Sequence, residues 1–381
     1  MANQATAPGG ERHPQAYVRL ERSEPAFVAA CGSHVDGVVV AGRFDAPHWP
    51  DSRAAKSGLT GSELKRDVLE AHLNFILDPE TWYLPHLEGL EDRSLGRAAR
   101  MPCAAAVPLP LKVQDLDDDS LERLTRSVLR AQVGAICTIA PYFMVRDPDD
   151  PWLGVNLRAI QMSRKLSRGR AVAATIRVPL ETVESGHLSV IASRYAKALA
   201  PGATVFLTVC DLQPSTEVST LTKYFAAVAD FAALGLQVVL DRAAEVCVPA
   251  VAIGAAGAVL GTRLYRTTGE SPRWTNNFNP RIRLKYATAG RCDRQPIEAA
   301  QRRTRKGSIK PCRDPSCAVL KGKAKNLEIR LHNAHWLRFE LAHAAQLGSA
   351  GLSQEIKAFG LKRLVAWAQA LDDAAALSQA A

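Results

Sequence analysis

The sequence predicts an α/β fold, a (β/α)8 TIM-like barrel followed by a C-terminal module and terminal helices. Eight short apolar runs recur between residues 37 and 253, most of them roughly 30 to 38 positions apart. Segments with helical periodicity occupy most of the intervals between these runs. Because eight strands alternating with helices are the number that closes a barrel, this order of elements favours the closed architecture.

The candidate strands are apolar along their whole length and do not alternate between apolar and polar residues. That pattern is typical of strands buried on both faces, as in a parallel sheet covered by helices. A doubly wound open sheet is the alternative, because 104–107 and 249–253 are weak strand candidates. The eight runs are 37–41, 73–77, 104–107, 134–140, 171–178, 203–210, 236–240 and 249–253.

The candidate helices carry apolar residues at three- and four-residue steps. Two of them have capping residues at their starts: residues 60–63 read Thr-x-x-Glu, and Asp119 or Ser120 precedes the second helix. Two further helices are predicted over 326–347 and 353–375. The helices predicted between the strands are 62–72, 120–132, 152–166, 187–199 and 218–234.

Length and composition indicate how the chain is organised. Its 381 residues suit one large domain with a smaller one appended. We predict a disordered tail over 1–16, the barrel over 17–266, the module over 267–347 and a C-terminal helix over 348–381. Because no run of eighteen apolar residues occurs and the first twenty residues lack the apolar core of a signal peptide, we expect a cytoplasmic protein without a membrane partner.

The positive charge of the chain is concentrated in one segment. Residues 281–330 hold 15 Lys or Arg against four acidic residues, a local excess of +11, while the whole chain carries +10. Trp274, Phe278 and Tyr286 lie in the same region. Arginines interleaved with aromatic residues are typical of surfaces that grip a phosphate backbone and stack exposed bases, so we expect a nucleic acid, tRNA or DNA, as partner. A solvated basic loop is the alternative. The candidate contacts are Arg302, Arg303, Arg305 and Lys306.

Two cysteines in polar sequence precede a predicted helix that carries two histidines. Cys312 and Cys317 flank a Pro-containing turn, and His332 and His335 follow three residues apart, on one face of the helix. Thiolates and imidazoles in such an arrangement are ligands for a structural zinc ion. The alternative is two free thiols beside a helix with ordinary histidines.

The Leu-His-Asn stretch at 331–333, at the start of a C-terminal helix and after a cysteine cluster, resembles the zinc module of the tRNA-guanine transglycosylases and their DNA-modifying relatives. In that family the cysteines and this histidine bind structural Zn²⁺ beside a basic surface that receives nucleic acid. The resemblance therefore implies exchange of guanine or a deazaguanine in tRNA or DNA. The ligands it implies are Cys312, Cys317 and His332, with Cys292 or His335 as the fourth.

The chain departs from that family in its smaller cysteine cluster, in the shorter distance from the cysteines to Leu-His-Asn and at one further stretch, and these departures leave two other functions open. The Asp-Ser-Gly-Gly stretch of the family is absent, since Asp78 is followed by Pro79, Glu80 and Thr81. A non-catalytic nucleic-acid-binding protein could keep the barrel and the module without the chemistry. A barrel enzyme for a small phosphorylated metabolite could use the Gly-rich stretch 254–261, which follows the predicted eighth strand.

The carboxyl ends of the predicted strands hold the candidates for chemistry, because barrel enzymes place their active sites there. Base exchange needs one carboxylate to attack the sugar carbon and an acid–base group to handle the proton of the base. We predict Asp78 and Asp241 as this pair, supported by Asp211, and expect one of the pair to have a raised pKa and serve as the acid. The predicted substrate contacts are Tyr142, stacking on the base, and Arg177, Arg242, Gly254 and Gly257.

Each of these carboxylates also has a structural interpretation. Asp78 with Pro79 could have no role beyond starting a turn, and Asp211 could cap the following helix. Asp241 and Arg242 could be a simple ion pair. Their joint recurrence at strand ends is what favours a catalytic set.

Overall fold

The computed structural model describes residues 13–20, 25–42, 61–87, 101, 103–261, 285–288, 293–296, 302, 326–359 and 362–380. Within these residues, eight parallel strands form a nearly closed barrel with helices outside it. The predicted (β/α)8 architecture is therefore confirmed.

The order of the strands around the barrel is β3-β2-β1-β8-β7-β6-β5-β4. The first strand pairs in parallel with both the second and the eighth, which brings the beginning and end of the barrel sequence together. At the remaining seam, just before β4, the Ile136 N–H donates to the Phe75 carbonyl of β3 at 3.0 Å. The strands are β1 (Gln15–Leu20), β2 (Gly37–Ala41), β3 (Phe75–Asp78), β4 (Thr138–Ile139), β5 (Val172–Val178), β6 (Thr204–Val209), β7 (Gln237–Asp241) and β8 (Gly257–Gly261).

In the described residues, eight α-helices alternate with the strands, and periodicity predicts all of them except the first, the fifth and the eighth. They are α1 (Pro25–Cys31), α2 (Gly61–Glu70), α3 (Asp118–Ala131), α4 (Pro151–Leu166), α5 (Leu180–Glu184), α6 (His187–Ala198), α7 (Val218–Ala233) and α8 (Cys247–Ala252). The N-cap of α3 is Asp117, whose side chain accepts from the Ser120 N–H at 2.8 Å. No helix in the described part of the chain is both long and apolar enough to cross a bilayer.

Two of the eight strand predictions are wrong. The run 104–107 contains the short 3-10 helix Ala104–Ala106, and the run 249–253 falls largely within α8. Two strands that were not predicted, β1 and β8, complete the eight strands of the barrel. Strand β1 begins at Gln15, within the range predicted as a tail, and β8 lies within the stretch predicted as a Gly-rich loop.

The patterns of β1 and β8 explain why apolarity alone missed them. In β1, Tyr17 faces the apolar core inside the barrel, while Ala16 and Val18 face the cores outside it, so the strand contains a polar inward residue, Arg19. In β8, Gly257 packs so closely on β1 that a Cβ atom would lie 2.3 Å from the Gln15 carbonyl oxygen. A glycine is required there because the two backbones touch.

The long helix α9 (Asn326–Phe359) serves as the outer helix that follows β8. It packs on β1, β8, α1 and α8. The Arg330 guanidinium lies over the ring of Phe27 in α1, and Arg338, two turns later, contacts Asp36 at the amino end of β2. Helix α9 therefore runs antiparallel to the strands, from the carboxyl end of the barrel to its amino end.

Two further elements complete the described chain. Helix α9 is kinked at Gly348, where φ is 65°, and α10 (Lys362–Ala380) packs on α9 and α7. The kink at Gly348 agrees with the predicted end of the first helix at 347, whereas the second predicted helix, 353–375, covers the end of α9 and most of α10. Between β8 and α9, strands β9 (Lys285–Thr288) and β10 (Asp293–Pro296) form an antiparallel pair.

Candidate active site

The inside of the barrel consists of an apolar layer and, above it, a polar layer. The apolar layer fills the middle of the barrel and includes Tyr17, Val39, Ile76, Phe206 and Val239. Because side chains alternate along a strand, the residues two positions later on several of these strands also face inward, toward the carboxyl ends. These polar residues are Arg19, Asp78, Thr208 and Asp241.

At the centre of the polar layer, one arginine joins two aspartates from distant strands. Arg19 Nη1 on β1 donates to Asp78 Oδ2 on β3 at 2.8 Å. Its Nε and Nη2 donate to Asp241 Oδ1 and Oδ2 on β7, at 3.2 Å and 2.6 Å. All three residues are buried, with exposed fractions of 3% for Arg19 and 5% for each aspartate. We call this group the Arg19 triad.

Neighbouring groups complete the hydrogen bonding of the two carboxylates. Asp78 Oδ1 accepts from the Tyr142 hydroxyl at 2.7 Å and from the Glu80 N–H at 3.0 Å. Asp241 Oδ2 accepts from the Thr208 hydroxyl at 3.3 Å. All four carboxylate oxygens therefore act as acceptors. Each carboxylate accepts three hydrogen bonds where about four can be accommodated, so each keeps room for one more donor.

The protonation of this cluster follows from its charges. Burial favours the neutral form of Asp78, but the positive charge of Arg19 and hydrogen bonds from Tyr142, the Glu80 amide and Arg19 outweigh burial and hold the pKa of Asp78 below its usual range. Burial, together with the charges of Asp78 and Glu80, raises the pKa of the Tyr142 hydroxyl well above its usual value. Asp78 is therefore not the carboxyl with a raised pKa that the sequence led us to expect.

A second ionic contact lies next to the triad. Arg242 follows Asp241, Glu80 follows Asp78 by two residues, and Arg242 Nη2 lies 4.0 Å from Glu80 Oε1. Both residues have left-handed backbones, with φ of 60° for Arg242 and 48° for Glu80. Side chains other than glycine adopt this conformation at a cost of about 1–3 kcal/mol, and such strain is concentrated at functional sites. The carboxyl ends of β3 and β7 are thus connected twice, once through Arg19 and once through the contact between Arg242 and Glu80.

The loops after β3 and β4 are connected as well. The Thr81 hydroxyl donates to the Tyr142 carbonyl at 2.7 Å and accepts from the Tyr142 N–H at 2.8 Å. The Arg177 guanidinium on β5 stacks at 3.7 Å from the centre of the Trp82 ring, which lies in the 3-10 helix Thr81–His86. Tyr142 is thereby fixed with its hydroxyl on Asp78, while the stacking of its ring on a base stays a prediction.

The structure brings together most, but not all, of the predicted site residues. Asp78, Asp241, Tyr142, Arg177 and Arg242 lie in or beside the polar layer at the barrel mouth. Asp211, with a φ of 61°, is exposed two residues after β6 and is not part of the Arg19 triad.

The predicted glycine contacts are corrected by the position of β8. Gly254 precedes this strand and Gly257 begins it, so both lie at the amino end, opposite to the mouth. The prediction assumed that a strand ended at residue 253, whereas that segment belongs to α8 and the turn after it. Gly254 and Gly257 are therefore needed for a turn with φ of 124° and for contact with β1, and the reason for assigning them to substrate binding no longer holds.

Several members of the site were missed from the sequence. Arg19 was missed because the predicted tail extends into its strand. Glu80, Trp82 and Thr208 lie next to predicted strand ends but have no motif of their own. A usable signal for Arg19 existed: Ala16, Val18 and Leu20 alternate with Tyr17 and Arg19, which is the period-two pattern of a strand.

The predicted metal ligands lie mostly outside the described residues. Cys292, Cys312 and Cys317 do so, and the described residues contain no group of three or more His, Cys, Asp or Glu side chains that could hold a metal ion. His332 is buried on α9, and the His335 ring lies 5.5 Å from that of His34 and 4.8 Å from that of Phe339, between ring centres. The two imidazoles are one helical turn apart, which is compatible with a shared ion.

The predicted nucleic-acid contacts also lie largely outside this part of the chain. Arg302 is described and exposed, whereas Arg303, Arg305 and Lys306 are not among the described residues.

No protein-family model matches the chain, and a search of curated proteins finds no match for it.

Proposed function

We propose that the chain is a barrel enzyme that exchanges a base at a glycosidic bond of a nucleic acid, with the barrel mouth as its active site. The observation that carries the proposal is the pair of carboxylates, Asp78 from β3 and Asp241 from β7, held by one guanidinium at the carboxyl ends of the strands. Breaking a glycosidic bond develops positive charge on the sugar, and ionised carboxylates stabilise that charge or attack the carbon that carries it.

The hydrogen bonding supports an anionic role for the two carboxylates in this chemistry. Both oxygens of each accept hydrogen bonds, and the pKa of Asp78 is lowered. Such groups suit attack on the sugar or stabilisation of its charge. Protonation of the leaving base would fall to a different group. The attacking carboxylate is either Asp78 or Asp241.

The energetics of burial support a functional role for the triad. A buried ion pair adds little net stability compared with apolar residues of similar volume, because removing charges from water is costly. A barrel interior can be filled by apolar side chains, as the layer below the triad is. Placing three charged side chains at the carboxyl end is therefore better explained by chemistry than by folding.

The position of the basic segment in the chain supports a polyanionic substrate. Residues 262–325 connect Gly261, at the carboxyl end of β8, to Asn326, where α9 begins at the same end of the barrel. The whole of the local excess of +11 lies in this connection, since Glu328 and Arg330 cancel in the last five residues of 281–330. Its two attachment points are thus at the mouth, near the Arg19 triad, where a nucleic acid would have to bind for the aspartates to act on it.

Incubation of the wild-type protein with labelled guanine or a labelled deazaguanine and unlabelled polymer tests this proposal. We expect the label to become incorporated into tRNA or duplex DNA. If the label enters neither tRNA nor DNA, the result would favour the second candidate, a non-catalytic nucleic-acid-binding protein. The observation in favour of that candidate is that Arg19 engages both aspartates at once.

The basic segment gives a prediction about binding. Replacing Arg302, Arg303, Arg305 and Lys306 with Ala should weaken nucleic-acid binding, because fewer phosphates would be neutralised and fewer counterions released. The dependence of log affinity on log salt should become less steep, by about 0.9 for every phosphate of duplex DNA that the variant no longer neutralises. Fluorescence anisotropy across a salt series measures both quantities.

The matched control removes four exposed basic residues from the carboxyl-terminal parts of α3 and α4 and the turn that follows α4, namely Arg126, Arg130, Lys165 and Arg168. These residues lie toward the amino end of the barrel, so this variant should bind like the wild type. Equal effects of the two sets, or no effect of the first, would show that the basic segment is only a solvated surface.

The zinc module gives a second prediction. We propose one structural Zn²⁺ bound by Cys312, Cys317 and His332, with Cys292 or His335 as the fourth ligand. Protein purified without chelator should contain about one zinc per chain by elemental analysis, and Cys312→Ser should remove it.

The control for this prediction is Cys137→Ser, which changes a half-buried thiol just before β4 and should leave the zinc content unchanged. Wild-type protein that is folded but free of zinc would contradict the proposed site.

A further inference from the structure

Arg19 is placed so that it reaches both aspartates of the site at once. All three nitrogens of its guanidinium donate to a carboxylate oxygen, one to Asp78 and two to Asp241. The contact with Asp241 is bidentate, which constrains the plane of the guanidinium as well as its position. The distance between the two carboxylates is therefore set by the width of one arginine side chain.

The remaining charged groups of the polar layer have other positions. Arg177 stacks on Trp82, and Arg242 lies against Glu80. Glu80 and the Tyr142 hydroxyl also face Arg19 or Asp78, and neither of them contributes positive charge. Within the described residues, Arg19 is thus the cation that contacts both aspartates.

Two buried carboxylates that face each other do not both stay ionised without such a cation. Like charges in one site favour protonation of one member, and burial acts in the same direction. The hydrogen-bond pattern of this structure, with all four oxygens accepting, is the one expected of two ionised carboxylates. Arg19 is what makes that pattern possible.

The geometry points to Arg19 as the positioning residue of the site: it holds Asp78 and Asp241 at a fixed separation and keeps both of them anionic. This inference deepens the proposed function and rests on it for its catalytic meaning. The charge state of the aspartates does not depend on any activity. Arg19 itself acts through the two aspartates and not on the substrate.

The charge state can be measured by NMR titration of protein labelled with ¹³C at the aspartate carboxyl carbon. Resonances of Asp78 and Asp241 are assigned by their loss in Asp78→Asn and Asp241→Asn. In the wild type we expect both to report ionised carboxylates throughout the neutral range. In Arg19→Met one of the two should titrate at least about two pH units higher than in the wild type.

Arg19→Lys provides a variant that keeps a positive charge but cannot form the planar, bidentate contact. It should give a smaller upward shift than Arg19→Met. If Arg19→Met does not fold, the wild type and Arg19→Lys still decide the matter. A proton on either aspartate of the wild type at neutral pH, or titrations that agree within about half a pH unit among the folded proteins, would overturn the inference.

Base-exchange kinetics then separate positioning from a purely structural role. Arg19→Met should lower kcat by about 10²-fold, with little change in KM, and move the acidic limb of the pH profile upward, because one carboxylate would retain its proton. Arg19→Lys should restore part of kcat. If the wild type exchanges no base, the proposed function fails while the titration still stands. If exchange occurs and the pH profile of Arg19→Met matches that of the wild type, the inference fails and the function stands.

Discussion

Asp241→Asn is expected to lower the rate of base exchange by at least about 10³-fold, the loss typical when a group that attacks the substrate or stabilises its charge is removed. Asn has nearly the same shape but carries no negative charge. It would still accept from Arg19 through its amide oxygen, whereas it could not form the bidentate contact that Arg19 makes with Asp241. Steady-state incorporation of labelled guanine measures the loss, and Asp78→Asn in the same assay should also be severely impaired.

Two controls make this result interpretable. Asp373→Asn makes the same chemical change on an exposed position of α10 and should keep the rate of the wild type. Nucleic-acid binding by Asp241→Asn should remain close to that of the wild type, because binding is assigned to the basic segment. An Asp241→Asn variant that exchanges base at the rate of Asp373→Asn would show that the barrel mouth is not the active site.

Arg19→Met is expected to reduce the free energy of unfolding by about 3–5 kcal/mol at neutral pH, because it leaves two carboxylates buried without their cation. The pH dependence has a definite sign. Arg19 lowers the pKa of Asp78 in the folded state, so its contribution is present at neutral pH and is lost as the pH falls through that lowered pKa. The difference between Arg19→Met and the wild type should therefore shrink in acid. Urea denaturation at several pH values measures it.

A matched surface change provides the scale for that loss. Arg126 pairs with Glu122 across one turn of α3, where the Arg126 side chain is exposed and that of Glu122 is half-buried. Arg126→Met should therefore cost no more than about 0.5 kcal/mol. Similar losses for Arg19→Met and Arg126→Met would mean that the triad is solvated and that its burial has no energetic effect.

Most of the barrel could be predicted because most of its strands are continuous apolar runs and most of its helices show clear helical periodicity. The apolar runs at 171–178 and 203–210 contain β5 and β6, and the helical periodicity of 187–199 and 218–234 matches α6 and α7 almost to the residue. These segments are buried by neighbours on both faces, so composition alone identifies them. The pattern fails where a strand needs polar or very small residues.

Strands β1 and β8 are those cases. Arg19 interrupts the apolar pattern of β1 because its side chain pairs with Asp78 and Asp241, and Gly257 begins β8 because the β1 backbone leaves no room for a side chain. Neither requirement is visible without the partner strand. The apolar runs 104–107 and 249–253 were wrongly predicted as strands because they are apolar without being extended. Short segments of alanine, valine and proline are equally compatible with short helices packed in a core.

The candidate site was predicted in part because barrel enzymes place their active-site residues at the carboxyl ends of the strands. Asp78 and Asp241 directly end β3 and β7, and Tyr142 follows β4, so the rule for barrel mouths finds all three. The rule does not specify which groups touch. It could not show that Arg19 connects the aspartates, that Tyr142 donates to Asp78, or that Gly254 lies at the other end of the barrel.

The most direct test of the account is a double-mutant cycle between Arg19 and Asp241, measured by the free energy of unfolding. The wild type, Arg19→Met, Asp241→Asn and the double variant are compared by urea denaturation at neutral pH. If the Arg19 triad forms one buried unit, the double variant should lose about 1–3 kcal/mol less than the sum of the two single losses. Additivity within about 0.5 kcal/mol would contradict direct contact between these residues and with it the proposed site at the barrel mouth.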